Sequence, residues 1–258
     1  MKSIILSIIF LLASINVASA DILSDVKERG YIKAGISLGG MPMGGRDARN
    51  EPIGYDVDVA NRLADALGVD LRIIDVYGDA RVSMLVSNQL DIVIGNMTIT
   101  EPRAKIVDFS NAYYRTGLKI AVQRGSNIKN LEDLKGKKIA VGRGTSGAVF
   151  LQEEVPWVEV VYTDNFAPNG ILLLRQRRVD AGIEDASNID ALVQNVRSLE
   201  TMPGEFLSGD IGMGMAKGEP ALKSWVNEFI ADYISSGDFD RNIKKWWGDD
   251  ALAPDLSE

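Results

Sequence analysis

Three short stretches of this chain carry side chains that suit a small charged ligand. In the first stretch, the hydroxyls of Thr98 and Thr100 precede Arg103. The guanidinium of Arg103 is a planar, permanently charged fork that binds a carboxylate through two parallel hydrogen bonds. Pro102 suits the first turn of a helix, and a helix N-terminus attracts anions. The stretch therefore predicts a carboxylate site, although a threonine N-cap followed by a solvated arginine fits the same residues.

The second stretch, residues 142–147, has the glycine spacing G-x-G-x-x-G between a predicted strand and a predicted helix, and Asp164 ends the following strand. This arrangement is typical of dinucleotide sites, in which backbone N–H groups hold a pyrophosphate. The same groups also hold smaller anions. We favour the smaller anion, because the chain looks exported from the compartment that holds nicotinamide cofactors and has no histidine for hydride-transfer chemistry.

Glu184 and Asp185 form the third stretch, at the end of a predicted strand. Carboxylates at the end of a buried strand lose hydration and need a partner. A ligand ammonium group, an internal lysine or arginine, and the first N–H groups of a helix are three such partners. Together the three stretches offer a carboxylate clamp, an anion site and an ammonium acceptor, which are the requirements of an α-amino acid.

Short apolar strands alternate with amphipathic helices along most of the chain. Strands are predicted at residues 71–76, 91–94, 138–141, 158–162 and 179–183. Helices are predicted at residues 56–67, ending at Gly68, and along an apolar stripe from Leu222 to Tyr233. Such alternation predicts an α/β fold with mainly parallel sheets covered on both faces, in which ligands bind beyond the carboxyl ends of strands.

A weak internal repeat accompanies this alternation. Asp91 opens one predicted strand after the end of a helix, and Asp180 opens another with the same layout. The repeat predicts two similarly wound domains, although any α/β protein contains such units.

The composition excludes several classes of function. The 258 residues include no cysteine and no histidine, which excludes disulfides, thiolate nucleophiles and histidine-based triads or metal ligands. The 28 Lys and Arg against 36 Asp and Glu give a net charge of −8, which opposes binding to nucleic acid. We therefore expect no metal ion, no cofactor and no nucleic-acid partner.

Residues 1–20 have the layout of a secretory signal peptide. Lys2 precedes an apolar run at residues 4–12, and Ala18 and Ala20 form a small-residue cleavage site. The run is too short to anchor the chain across a bilayer, and no cysteine follows to carry a lipid. We expect cleavage after Ala20 and export of a soluble protein to the periplasm, with a buried N-terminal helix as the alternative.

Longer motifs give the chain a resemblance to a known family. It resembles the type-3 extracellular solute-binding proteins, the polar amino-acid receptors of ABC importers, over essentially all of residues 21–258. The motifs, in chain order, are GYDVDVA at 54–60, MTITEPR at 97–103, VDFSNAYY at 107–114, LEDLKGKK at 131–138, GTS at 144–146, VDA at 179–181 and KWWG at 245–248. Each motif is ordinary, but their combination in this order is specific.

The resemblance implies the two-lobe periplasmic-binding-protein fold of type II. In this fold each lobe is a mainly parallel sheet flanked by helices, and two hinge crossings join the lobes. Carried onto this chain, lobe 1 comprises residues 21–114 plus 212–258, and lobe 2 comprises residues 115–211. The ligand is expected between the two lobes.

The resemblance also implies which residues hold the ligand carboxylate. Arg103 corresponds to the family arginine that binds the α-carboxylate, assisted by Thr98 and by the backbone near Asn96. Thr145 and Ser146 of lobe 2 are expected to donate to the same carboxylate.

The ammonium group and the ligand side chain are expected to meet other residues. Asp185 corresponds to the family acid that accepts from the ammonium. The family often has one stacking aromatic in a P-[FY] pair after the first strand and another before the helix near Arg81. Here the two stretches read MPMGG at 41–45 and YGDAR at 77–81, so an aromatic sandwich is not evident. Arg81 resembles an arginine of members that bind acidic amino acids, so we expect a polar or acidic ligand side chain paired with Arg81. Met43 would supply an adaptable apolar wall.

We therefore expect a monomeric periplasmic receptor without catalytic residues. It would capture an amino acid by hinge closure and deliver it to the membrane permease of an ABC importer. The first alternative is an exported cyclohexadienyl or arogenate dehydratase, since such enzymes resemble this family. Those enzymes need a general acid or base, and Asn188 occupies the nearest match to their glutamate. The second alternative is a dinucleotide-binding protein built on residues 142–147.

Overall fold

The computed structural model describes residues 21–256, which form an α/β fold. The helices are α1 (Ile22–Arg29), α2 (Tyr55–Leu67), α3 (Ala80–Val86), α4 (Glu101–Ala104), α5 (Ser146–Glu154), α6 (Ile171–Arg175), α7 (Ala186–Asn195), α8 (Pro220–Ser235) and α9 (Asp238–Trp247). The strands are β1 (Tyr31–Ile36), β2 (Gly45–Arg46), β3 (Pro52–Ile53), β4 (Asp70–Asp75), β5 (Ile92–Val93), β6 (Asp108–Gln123), β7 (Lys138–Gly142), β8 (Glu159–Thr163), β9 (Ala181–Asp185), β10 (Leu199–Thr201) and β11 (Phe206–Met215). The signal peptide predicted at residues 1–20 lies outside the described residues.

Nine of the described strands form one mixed sheet, in the order β4-β1-β5-β11-β6-β9-β7-β8 with β10 paired to β6. At one end, β1 lies parallel between β4 and β5, and we call these three the first strand group. At the other end, β7 lies parallel between β8 and β9, the second strand group. Helices α2 and α5 pack against the first and second groups respectively. The predicted α/β class, with two mainly parallel groups flanked by helices, is confirmed.

The long antiparallel strands β6 and β11 connect the two groups and make their ladders continuous. The lobe boundaries predicted at Tyr114 and Ile211 fall on these strands, where the two residues pair in register. Two buried apolar clusters draw on residues 26–114 and 211–243, and two others draw on residues 118–202. Separate cores on either side of this pair support the division into two lobes, whose exact limits stay a prediction.

Local sequence patterns account for the helices that were predicted. In α2, Ala60 and Leu63 turn toward the core, and the helix ends at Gly68. Gly68 has a φ of 70°, a left-handed conformation that glycine adopts without a Cβ clash, and its N–H binds the last turn. The predicted apolar stripe from Leu222 to Tyr233 is the buried face of α8.

The weak internal repeat corresponds to a repeated backbone arrangement. The carboxylate of Asp91 accepts from the N–H of Lys33 (2.7 Å), while the Asp91 N–H donates to the Lys33 carbonyl oxygen (3.0 Å). The Asp180 carboxylate accepts from the N–H of Lys138 (2.8 Å), and the Asp180 N–H donates to the Lys138 carbonyl oxygen (2.8 Å). Each aspartate thus binds the backbone of a central strand in the same way, at the third residue of β1 or at the first residue of β7.

Candidate functional site

A cavity lies where the carboxyl ends of the first strand group face those of the second. The loops after β1, β4 and β5 form one wall, and the ends of β7 and β9 with the loop after β8 form the other. All eight residues predicted for the site line it: Met43, Arg81, Asn96, Thr98, Arg103, Thr145, Ser146 and Asp185. The fold therefore brings together residues from five separate stretches, while the contact of each with a ligand stays a prediction.

Arg103 connects the two walls of the cavity. Its Nη1 donates to the carbonyl oxygen of Thr98 (2.8 Å), and its Nη2 donates to the carbonyl oxygen of Gly144 (3.0 Å) in the opposite wall. Burial, and next the charge of Arg81, lower the pKa of Arg103 to about 10, so the side chain is a cation at neutral pH. A guanidinium has five N–H donors, which leaves donors for a ligand carboxylate.

The helix predicted to begin at Pro102 is a single turn. α4 has four residues with Pro102 in its first turn, and the side chain of Thr100 makes no capping hydrogen bond. Thr100 thus holds the N-cap position that was considered for a threonine, but without a capping hydrogen bond from its hydroxyl. A one-turn helix has little macrodipole, so the attraction for an anion in this stretch comes from the full charge of Arg103.

Thr145 is the N-cap of α5, and its hydroxyl is occupied by this role. It donates to the carbonyl oxygen of Gly142 (2.8 Å) and accepts from the N–H of Ala148 (3.3 Å). Ser146 begins the helix, and its hydroxyl lies 3.4 Å from that of Thr98 in the opposite wall. The first N–H groups of a helix have no partner within it, so these groups are the anion donors that the loop offers.

Residues 142–147 do connect a strand to a helix, as the dinucleotide fingerprint requires. The middle glycine, Gly144, has a φ of 68°, and a Cβ atom there would lie 2.0 Å from Oδ1 of Asp79 in the opposite wall. A pyrophosphate against this loop would meet the negative charge of Asp79. The geometry therefore favours the smaller anion over a dinucleotide.

Asp185 and Glu184 place two carboxylates in the cavity at the end of β9. Oδ2 of Asp185 accepts from Nδ2 of Asn96 (2.7 Å), and Oε1 of Glu184 accepts from the N–H of Asp185 (3.2 Å). Burial, and next the charge of Glu184, raise the pKa of Asp185 well above its ordinary value, while Arg81 and Arg103 oppose the rise. Burial likewise raises the pKa of Glu184.

The internal partners considered for this acid pair are present only in part. Asp185 holds the N-cap position of α7, but its side chain makes no capping hydrogen bond. Within residues 21–256, no lysine or arginine forms an ion pair with Glu184 or Asp185. Neither carboxylate has a direct ion pair, although the charge of Arg81 acts on both and that of Arg103 acts on Asp185. A ligand ammonium is a partner that fits this pair.

Arg81 lies in the cavity wall but is held by the backbone. Its Nε donates to the carbonyl oxygen of Gly78 (3.1 Å), and its Nη1 donates to those of Gly95 (2.8 Å) and Asn96 (3.2 Å). Burial lowers the pKa of Arg81, and the charges of Asp185 and neighbouring acids oppose this. The geometry favours a bracing role for Arg81 over the predicted pairing with an acidic ligand side chain.

A fully buried acid, Asp56, lies behind the site. The hydroxyl of Tyr113 donates to its Oδ1 (2.7 Å), and its Oδ2 has no hydrogen-bond partner within the described residues. Burial raises the pKa of Asp56 to about 7, against the opposing effects of Tyr113, the N–H of Asn96 and Arg81. Asp56 therefore interacts with the backbone of the loop that carries Asn96, although Asp56 itself does not line the cavity.

Several cavity residues were not predicted as ligand contacts. They follow strand ends or begin a helix, and they include Ser37, Tyr77, Asn165, Phe166, Glu184 and Asn188. Glu184 was recognised only as part of an acid pair, and Asn188 only as the replacement of a dehydratase glutamate. A position near the end of a strand is compatible with a cavity residue, but it does not distinguish a cavity residue from an ordinary loop residue.

Four glycines lie where the two walls approach each other most closely. A Cβ atom at Gly39 would lie 2.1 Å from Asn165 Nδ2, and one at Gly40 would lie 2.9 Å from Asn188 Nδ2. At Gly78 the nearest atom would be the carbonyl oxygen of Arg143, at 2.3 Å. With Gly144 against Asp79, this glycine seam (Gly39, Gly40, Gly78 and Gly144) allows the walls to meet.

Among residues 21–256, no group of three or more acidic side chains is arranged to hold a metal ion. In the same residues, no helix has the length and apolar character needed to cross a membrane.

Comparisons with known proteins agree with this geometry. The sequence model of the bacterial extracellular solute-binding proteins, family 3, matches residues 32–249. The L-cystine-binding protein of Escherichia coli strain K12 is 33% identical over 237 residues, covering 90% of this chain and 88% of that protein. A mutant of ArgBP from T. maritima superimposes with a TM-score of 0.85 at 32% identity, covering 88% of this chain and 100% of the other. An ancestral amino-acid-binding protein, a precursor of cyclohexadienyl dehydratase, superimposes with a TM-score of 0.81 at 28% identity, covering 88% and 99%.

Proposed function

The chain belongs to family 3 of the bacterial extracellular solute-binding proteins, and we propose on this basis that it captures an amino acid in the cavity and delivers it to the permease of an ABC importer. One observation carries the choice of an amino acid. Arg103 and Asp185, of opposite charge, line one cavity from opposite walls. A zwitterion presents a carboxylate and an ammonium group to these two side chains.

The proposed mechanism is closure of two lobes about β6 and β11. In an open form, a ligand meets only one wall, so the full set of contacts exists only when both walls approach. The ligand binds the closed form more tightly than the open form, and this difference in affinity shifts the equilibrium toward closure. The glycine seam supports this step, because it permits close approach of the loops. The permease would distinguish the loaded receptor by its closed shape.

Further properties belong to the same proposal. The lobes are residues 21–114 with 212–258, and residues 115–211, and the receptor acts as a monomer. Family membership places the protein among extracellular solute-binding proteins. Cleavage of a signal peptide after Ala20 would release it into the periplasm.

Thermal unfolding in the presence of the twenty amino acids tests the proposal. A ligand that binds only the folded state raises the free energy of unfolding by RT ln(1 + [L]/Kd), roughly 2.7 kcal/mol at a hundredfold excess over Kd. We expect a dose-dependent rise with at least one amino acid. Binding of no amino acid at millimolar concentration would contradict the proposal.

We also infer that the protein does not catalyse the dehydratase reaction, although one structural neighbour is the precursor of such an enzyme. The named relatives are binding proteins, and Asn188 replaces the glutamate that the resemblance assigns to the enzymes. Incubation with prephenate or arogenate should leave the substrate unchanged. Turnover that is lost on substituting Glu184 would show that the buried acid acts as a general acid.

A further inference from the structure

Glu184 is a half-buried carboxylate in the cavity wall that forms no direct ion pair within residues 21–256. Lys119 pairs with Glu184 in the register of β6 and β9, but its Nζ binds Asp190 (2.6 Å). The Nε and Nη1 groups of Arg81 donate hydrogen bonds to backbone carbonyl oxygens. Within the described residues 21–256, the Glu184 carboxylate accepts from the N–H of Asp185, shares a side-chain hydrogen bond with the Asp185 carboxyl and feels the charge of Arg81.

Two amide oxygens in the cavity wall are further hydrogen-bond acceptors beside the Glu184 carboxylate. Asn96 donates its Nδ2 to Asp185, which fixes the orientation of its amide and leaves Oδ1 as an acceptor. Oδ1 of Asn96 and Oδ1 of Asn188 are both buried without a hydrogen-bond partner in the part of the chain that the structure describes. Both residues line the cavity with Glu184. Buried acceptors that lack a donor are unfavourable, so such a group in a binding site indicates a donor on the ligand.

We propose that Glu184, Asn96 and Asn188 form an acceptor wall that binds a ligand side chain ending in N–H donors. The inference rests on the proposed function and names the ligand class as amino acids with a cationic or amide side chain. This ligand class replaces the acidic ligand side chain that we expected to pair with Arg81. Arg103 and Asp185 take the α-carboxylate and the ammonium, so the acceptor wall remains for the rest of the ligand.

Charge explains why an acidic side chain does not fit this wall. A second ligand carboxylate would lie near Glu184 in a buried environment, where like charges repel strongly. Burial raises the pKa of Glu184. A cationic side chain stabilises the ionised form of this acid, whereas an amide donates to either form. Cationic and amide ligands therefore share the same acceptors but differ in how they depend on the charge of Glu184.

Calorimetry on residues 21–258 with matched ligand pairs tests the proposal. Glutamine and glutamate have nearly the same shape, as do arginine and citrulline, and norvaline supplies an apolar side chain as reference. We expect glutamine or arginine to bind at least about tenfold more tightly than glutamate. A preference for arginine over citrulline identifies a cationic ligand, and near equality identifies recognition by neutral N–H groups. Either result supports the acceptor wall.

The variant Glu184→Gln tests the residue itself. It should weaken binding of the preferred ligand by at least about tenfold while changing norvaline binding by less than about threefold. Glu153→Gln, at an exposed position of α5, is the matched control and should change neither. If Glu184→Gln does not fold, as judged by circular dichroism, Asn188→Ala replaces it with the same expected selectivity.

Three outcomes have distinct meanings. Tighter binding of glutamate than of glutamine and arginine overturns the acceptor wall but leaves the proposed function intact. Equal losses for norvaline and the preferred ligand in Glu184→Gln also overturn it, because they indicate a general structural role. Binding of no amino acid contradicts the proposed function itself, and this inference with it.

Discussion

Asn96 and Asp185 are 89 residues apart in the chain, and a hydrogen bond of 2.7 Å joins their side chains across the cavity. Each residue stands five positions after the aspartate that starts its strand, Asp91 or Asp180. These two aspartates make the same backbone contacts with β1 and β7. The two halves of the repeat therefore present equivalent strand ends to each other, and the polar residues at those ends meet. A small ligand bound between them would contact both halves at once.

Replacing Arg103 with alanine should weaken amino-acid binding by about 3–5 kcal/mol, because it leaves a buried ligand carboxylate without its cation. Titration calorimetry with the ligand found by thermal unfolding measures the loss. Arg49→Ala is the control, since the Arg49 side chain is 86% exposed and lies outside the cavity lining. An unchanged dissociation constant in Arg103→Ala would remove Arg103 from the site.

Replacing Asp185 with asparagine should weaken amino-acid binding by about 2–5 kcal/mol, because the ammonium loses its charged acceptor. Without ligand, the same variant should melt no lower than the wild type, because the substitution removes a buried carboxylate whose pKa is raised by burial. Calorimetry and thermal unfolding measure the two effects. The assignment fails if the deaminated analogue of the ligand binds the wild type as tightly as the amino acid.

Adding a methyl group at Gly39 should hinder closure of the cavity. A Cβ atom there would lie 2.1 Å from Asn165 Nδ2 and 2.6 Å from the carbonyl oxygen of Ala167. We expect Gly39→Ala to lower ligand affinity by about tenfold or more, with no loss of stability in the absence of ligand. Small-angle scattering should show a smaller ligand-induced decrease in radius of gyration than in the wild type. An identical decrease would exclude this role for the glycine seam.

Asp56 should make the stability of the protein depend on pH. Its folded-state pKa of about 7 lies above the ordinary value of 3.8, so the folded state binds the proton more tightly. The contribution of this group to the free energy of unfolding therefore falls as pH rises from about 4 to about 7, by up to roughly 1.4 kcal/mol per pH unit. Asp56→Asn should flatten this part of the profile. Urea unfolding from pH 4.5 to 8 measures it, and parallel profiles for both proteins would contradict the prediction.

Removing the side chain of Asp91 should destabilise the fold more than removing that of Asp180. The side chain of Asp91 is 5% exposed and binds Arg29, whereas that of Asp180 is 41% exposed with Lys137 4.0 Å away. We expect Asp91→Ala to lower the free energy of unfolding by about 3 kcal/mol, because it leaves Arg29 and a strand N–H without a buried acceptor. Asp180→Ala should lower it by about 1 kcal/mol. Equal losses of unfolding free energy in the two variants, measured with urea, would show that burial of the aspartate does not determine how much it stabilises the fold.

The elements that carry the site follow from local patterns in the sequence. Residues 71–76 and 138–141 were predicted as strands and form β4 and β7 within one residue at either end. Gly68 ends α2 because only a residue without a side chain adopts the left-handed conformation freely. The placement of Arg103 and Asp185 in one cavity also follows, since both come after strands of parallel groups and ligands bind at that edge.

The partners of each side chain depend on packing between distant segments. The sequence places Arg81 near the cavity, but only the tertiary structure directs its donors to the carbonyl oxygens of Gly78, Gly95 and Asn96. Thr145 stays a predicted ligand contact, but the start of α5 already uses its hydroxyl as a cap. A side chain has a fixed number of donors and acceptors, and local sequence does not tell which of them the fold has already used.

The sequence by itself thus determined the α/β class, some of the strands and helices, the export signal as a prediction, and the charged residues available to an amino acid. These properties depend on periodicity, turn residues and composition, which are encoded within a few neighbouring residues. The tertiary structure decided which acceptors remain without donors and which glycines lie between the walls. Such properties depend on contacts between residues far apart in the chain, whose distances are set only when both strand groups have packed.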